Sequence, residues 1–239
     1  MNMDLSKRLC AVADLTAGGK KSTTVCVADI GTDHGYIPIS LIKEKGFGHA
    51  IAMDVNRGPL ERARHHIALE GLEEYIETRL SDGLRELARD EVQCVIIAGM
   101  GGALCTKILE EGKEVVEGLQ YFVLQPQSEI WKVRNYLQEN GYCIVEEDIV
   151  LEDGKYYPMM RVEKGVESPY SETELRYGRV LLKKRHPVLK NYLEFVAKEK
   201  ERILKSLKAS PTQRAKRRAL EVERELETAK EGLSCYVEK

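Results

Sequence analysis

The chain has 239 residues, 43% hydrophobic and 32% charged, with a formal net charge of −2. That balance excludes a disordered chain, and no apolar run exceeds strand length, which excludes a membrane-spanning helix. Charge is uneven: residues 183–218 hold thirteen Lys/Arg against three Glu, a surplus of ten, so the remainder carries −12.

The first residues lack the apolar core of a signal peptide. Residues 3–17 follow as an expected amphipathic helix, with Leu5, Leu9, Val12 and Ala13 on one face and Gly18-Gly19 at its end. The run Val25-Cys26-Val27-Ala28-Asp29-Ile30 is apolar and β-branched, the mark of a buried strand. It breaks into a turn with Gly31 and Gly35, then a helix over 37–45 with Pro38 near its start. Strand, glycine turn and helix make the nucleotide-binding corner of an α/β sheet.

Charge in that corner discriminates between nucleotides. A pyrophosphate wants bare N–H groups and the positive end of a helix. Asp29 and Asp33 would repel it and attract a sulfonium and an ammonium group, which favours S-adenosylmethionine over a dinucleotide. Capping of the turn or helix is the competing role for both carboxylates.

A second strand over 49–55 carries Asp54 at its carboxyl end, where a carboxylate accepts from ribose hydroxyls or closes a turn. A helix over 59–70, a strand over 76–80 and Ser81-Asp82-Gly83 come next. Asp82 either accepts from an adenine amino group or caps a helix starting near Leu84. A strand over 92–98 runs into Gly99-Met100-Gly101-Gly102 and a helix from about Ala103; so many glycines at a strand end indicate close backbone approach. A fifth strand, 121–124, ends in Gln125-Pro126-Gln127, and a helix spans 129–140. Strands over 142–151 and 156–162 flank Asp153-Gly154, a two-residue hairpin signal, with a bulge expected at Pro158.

After Gly165 the composition changes. Ser171 and Glu174 form a capping box for a helix to about Arg185, which His186-Pro187 interrupts. Leu189, Leu193, Val196, Lys200, Ile203 and Leu207 keep heptad spacing, as do Ala215, Ala219, Val222, Leu226, Ala229, Leu233 and Tyr236. With a turn at Ser210-Pro211 they predict an antiparallel helical coiled-coil hairpin. The cysteines at 10, 26, 94, 105, 143 and 235 show no metal spacing; most lie in apolar runs and read as buried thiols in a reducing cytoplasm. The expected fold is therefore an α/β sheet with a terminal antiparallel strand hairpin over 1–165, plus a helical domain over 166–239.

In order, Asp29-x-Gly31-x-x-x-Gly35, Asp54, Ser81-Asp82-Gly83, Ile97-Ala98-Gly99-Met100-Gly101-Gly102 and Leu124-Gln125-Pro126 resemble the TrmK family, bacterial tRNA (adenine-22-N1)-methyltransferases. The resemblance covers roughly residues 5–163, with a helical tail following as in that family. It implies a class I Rossmann-like methyltransferase domain, with S-adenosylmethionine as donor and tRNA as acceptor. Two positions depart from the pattern: Asp33 stands where the usual class I turn has glycine, and Gln127 where the family often has Asn.

Carried over, Asp29, Gly31, His34 and Gly35 would hold the methionine part, Asp54 the ribose, and Asp82 and Gly83 the adenine. Ala98, Gly99 and Met100 would line the gap between donor and acceptor. His34 and Gln127 are candidates for orienting the target base; a turn histidine bonded to backbone is the other reading of His34. Cys105 reads as packing, and no Asn/Asp-Pro-Pro-aromatic tetrapeptide follows the fourth strand, which argues against an exocyclic amine as nucleophile. Lys183, Lys184, Arg185, Lys205, Arg214, Lys216, Arg217 and Arg218 can neutralise tRNA phosphates. No metal and no membrane are expected, and a monomer is favoured. The competing readings are a methyltransferase for rRNA or a small molecule, a non-catalytic protein recruiting partners through its hairpin, and an NAD enzyme, disfavoured by Asp33 and the strand hairpin.

Overall fold

The computed structural model describes residues 5–18, 24–209 and 212–237. Gly19, the Ser210-Pro211 turn and residues 3–4 of the expected first helix lie outside them. The chain divides into two compact units, Met1–Glu167 and Ser168–Lys239.

The first unit begins with α1 (Lys7–Ala17), whose N-cap Ser6 accepts from Leu9 N–H at 3.3 Å. Of the predicted stripe Val12 and Ala13 are fully buried and Leu5 and Leu9 half-buried, and the buried face also takes in Ala11, Leu15 and Thr16. Then alternate β1 (Cys26–Ile30), α2 (Tyr36–Lys43), β2 (His49–Asp54), α3 (Arg57–Leu69), β3 (Ile76–Leu80) and β4 (Cys94–Met100). Two helices, α4 (Gly102–Glu111) and α5 (Lys113–Gly118), lead to β5 (Tyr121–Pro126), α6 (Ile130–Glu139), β6 (Tyr142–Glu152) and β7 (Lys155–Lys164). The seven strands form one mixed sheet in the order β3-β2-β1-β4-β5-β7-β6. The first five are parallel; β1, β2, β4 and β5 are near-continuous apolar runs and largely buried, as strands covered on both faces require, whereas the edge strand β3 buries only Ile76.

The final pair is the expected antiparallel hairpin, closed by Asp153 and Gly154 at φ 48° and 73°. The expected bulge at Pro158 is absent; the register shift falls between Ile144 and Glu146. Pro158 pairs with Ile149 at a level where β5 no longer pairs with β7, so its missing N–H leaves no gap on that side. The bulged edge strand is anchored by a buried ion pair, Arg134 Nη2 to Glu147 Oε1 at 2.8 Å.

No helix starts near Leu84. Gly83 is left-handed at φ 63°, and Ser81 Oγ donates to its carbonyl at 2.9 Å while accepting from Glu86 N–H, so the segment is stapled as a turn. That removes helix capping as a role for Asp82. The thiols are also less uniform than expected: only Cys94 and Cys105 are buried, Cys235 is exposed, and the others are intermediate. Cys105 does pack inside α4, where burial pushes its thiol up to about 11.

In the second unit the capping box on Ser171 and Glu174 starts α7 (Glu172–Tyr177), but Gly178 at φ 92° separates it from α8 (Arg179–Lys183), so one expected helix is two. Two 22-residue helices follow, α9 (Pro187–Lys208) and α10 (Gln213–Ser234). Lys200 pairs with Glu225, Glu201 with Lys230 and Lys208 with Glu223, so the two run antiparallel. Lys200, the one polar residue in the first heptad run, is thus satisfied across the seam. Among the described residues no helix is long and apolar enough to cross a membrane.

Candidate active site

Parallel pairing aligns Ile30 with Met53 and with Ile97, and Ala98 with Gln125. The carboxyl ends of β1, β2, β4 and β5 therefore meet at one edge. Chain order reverses between β1 and β4, which opens a crevice at the switch point. A cleft of about 340 Å³ occupies it, lined among others by Arg8, Asp29, Gly31, Asp33, His34 and Gln127.

Asp29 is the penultimate residue of β1 and is buried at 5% exposure. Burial raises its carboxyl to about 6, with Asp54 adding to the rise while Thr32 and Arg8 favour the charged form. Among the described residues no ion pair closes on it. A buried carboxyl without a counter-cation is a place for a positively charged ligand. Gly31 and Gly99 both have positive φ, 78° and 81°, and Met100 packs where a Gly31 side chain would begin. Gly99 is the bulge in β4, its N–H donating to Gln125 Oε1 at 3.2 Å.

Asp33, four residues from Asp29, has a different fate. It lines the cleft but its carboxylate is surface-exposed and paired with Arg62. The cation-attracting role read into two carboxylates therefore has one buried group behind it. Asp54 ends β2 and its Oδ1 accepts from Asn56 N–H at 2.7 Å, leaving Oδ2 without a hydrogen-bond partner among the described residues. Asp82 is exposed and 3.4 Å from Arg85.

His34 stacks on Tyr36 and His66 at centroid distances of 5.0 and 5.1 Å. Its Nδ1 is buried without a partner. Gln127 is exposed on the opposite lip, its N–H donating to Met100 O at 2.8 Å. The structure brings Asp29, Gly31, Asp33, His34, Ala98, Gly99 and Gln127 onto one cleft. Gly35, Asp54, Asp82, Gly83 and Met100 are not among its lining residues.

Arg8, Thr32, Tyr36 and Gln125 were missed. Gln125 is fully buried and accepts from Arg8 Nη1 at 3.1 Å, a contact across 117 residues. A glutamine inside an apolar strand was the available signal, since a buried amide needs partners. Arg8 had none, being one more charge on an amphipathic helix.

A family model described as tRNA (adenine(22)-N(1))-methyltransferase, TrmK, matches residues 27–231. The chain belongs to the TrmK family. A Bacillus subtilis protein named tRNA (adenine(22)-N(1))-methyltransferase is 36% identical over 163 residues, 68% of this chain and 66% of its own length. A Streptococcus pneumoniae protein, Sp1610, solved in complex with S-adenosyl-L-methionine, aligns at TM-score 0.82 and 32% identity over 96% of this chain and 99% of its own. Mycoplasma capricolum TrmK, solved with S-adenosyl-homocysteine, aligns at TM-score 0.80 and 26% identity over 98% and 99%. The TrmK crevice here fits that ligand class: the buried Asp29 carboxyl, on which no ion pair closes among the described residues, suits a cation, and the orphaned His34 Nδ1 awaits a polar partner.

Proposed function

We propose that this chain transfers the methyl group of S-adenosylmethionine to N1 of adenine 22 in tRNA. The buried Asp29 at the sheet's switch point, with no ion-pair partner among the described residues, carries the reading, together with membership of the family.

Asp29 and the backbone of Gly31 to Gly35 hold the methionine part, and Asp54 the ribose. Asp82 and Gly83 face the adenine. S-adenosylmethionine supplies an electrophilic methyl carried on a sulfonium. Adenine N1 has an in-plane lone pair at neutral pH, so the chain has no proton to remove before attack. Its task is placement, and alignment of nucleophile and methyl supplies most of the acceleration. Ala98, Gly99 and Met100 bound the gap between donor and acceptor, Ala98 and Gly99 with little or no side chain and Met100 with its side chain packed on Gly31. His34 and Gln127, on facing lips, orient the base. The modified adenine is cationic, and the Gln127 carbonyl oxygen favours it at the mouth.

N1 lies on the pairing edge of adenine, so the nucleotide must be exposed from the tRNA fold first. Recognition of shape and backbone suits that task. Lys183, Lys184, Arg185, Lys205, Arg214, Lys216, Arg217 and Arg218 are all exposed on the second unit. We read α9 and α10 as a coiled-coil hairpin that presents them to phosphates, and the cytoplasm as the compartment, in keeping with six free cysteines.

The test is nucleoside analysis of an unmodified tRNA transcript after incubation with enzyme and donor. One 1-methyladenosine per tRNA, mapped to position 22, is expected; none, or another position, overturns the assignment. Asp54→Ala is expected to weaken donor binding about tenfold by calorimetry, the loss of a charge-assisted hydrogen bond. Unchanged affinity would place the ribose elsewhere.

A further inference from the structure

Gly102 opens α4 directly beside the loop that begins at Gln127. Its N–H donates to Ser128 O at 3.1 Å, and a Cβ there would lie 2.6 Å from the same carbonyl. The first turns of α4 and α6 are thereby clamped together at the lip of the cleft. Helix α6 turns Val133, Arg134 and Leu137 inward. Trp131, in its first turn, faces out at 46% exposure. It is the only tryptophan in the chain. Leu104, in the first turn of α4, is equally exposed.

Lys132 Nζ lies 5.7 Å from the ring centroid and is paired with Glu129, so this pair brings no net charge against a polyanion at the indole. An apolar ring of this size, left out of the core next to the site mouth, has the form of a base-stacking platform.

Chemistry at N1 gives that platform a use. Drawing an adenine out of a stack leaves its neighbour with one bare face. An aromatic side chain at the rim can cover that face, and stacking tolerates any base because every base has one. We propose that the Trp131 indole stacks on a nucleotide adjacent to the methylated adenine and so stabilises the opened tRNA. This rests on the tRNA reading above.

The indole reports on itself. Saturating tRNA is expected to quench the emission of wild-type protein, in which every tryptophan photon comes from Trp131. Trp131→Ala is expected to lower kcat/KM for tRNA by about 10- to 100-fold, the range of one lost stack. Trp131→Phe should recover most of it, and both variants should keep the wild-type affinity for S-adenosylmethionine. Active wild-type enzyme with unquenched emission, or with an unimpaired alanine variant, overturns the platform alone. Wild-type enzyme that neither methylates tRNA nor responds to it in emission overturns the tRNA reading and the platform together.

Discussion

Asp29→Asn is expected to stabilise the free protein and to destroy donor binding. The carboxyl stands at about 6 instead of 3.8 because it is buried, so at neutral pH the fold carries an ionised group it would rather protonate. Two pKa units correspond to about 3 kcal/mol, and at this domain size to a Tm gain of about 5–10 °C for the neutral amide. The sign follows from linkage. A raised carboxyl destabilises the fold above its folded pKa, and the penalty fades as pH falls through 6 towards 4. The gap in Tm between variant and wild type should therefore be widest above pH 7 and narrow below pH 6. Donor binding runs the other way. A cationic ligand needs the ionised carboxylate, so wild-type affinity should fall below pH 6, while the amide should bind about 100-fold more weakly and lose that pH dependence. Differential scanning and titration calorimetry between pH 5 and 8 measure both. Wild-type affinity in the variant would mean that the cation sits elsewhere. A lowered Tm would mean that the ionised group is held by the fold.

Neutralising Arg214, Lys216 and Arg217 together to Gln is expected to cut tRNA affinity by about 100-fold near physiological salt. Each phosphate contact releases a condensed counterion, worth about fivefold at that ionic strength, and three are removed. The slope of log affinity against log salt should become shallower by roughly two to three. All three are exposed in the first turn and a half of α10 and have no ion-pair partner among the described residues. Arg218 is the built-in control, since Glu221 at 2.6 Å and Glu225 at 3.5 Å already engage it. Its replacement should cost far less. Filter binding across a salt series and methylation kinetics measure the effect. An unchanged slope would remove α10 from the tRNA contact surface.

Much of the fold, and the cleft lining at Asp29, Gly31, His34, Ala98 and Gly99, was legible in the sequence because its signals are short-range. A glycine turn after an apolar strand, an acid at a strand end, and Asp-Gly between alternating strands each act within a few residues. The errors were of two kinds. Boundaries moved where a side chain made a local bond that spacing does not encode, as at Ser81, or where a left-handed glycine broke a periodic run, as at Gly178. The roles of Asp29 and Asp33 looked alike because they share a turn. One enters the interior on β1 and the other leaves it to meet Arg62.

The amino-acid order by itself determined the strand and helix alternation, the methyl-donor corner and the hairpin that ends the sheet, because periodicity and turn chemistry are properties of neighbours along the chain. Only the tertiary structure decided that Asp29 is a buried acid near pH 6, that Gln125 receives Arg8 across 117 residues, and that Trp131 stands bare at the lip. Burial and long-range partners depend on which surfaces the folded sheet and helices bring together, and no local pattern carries that information.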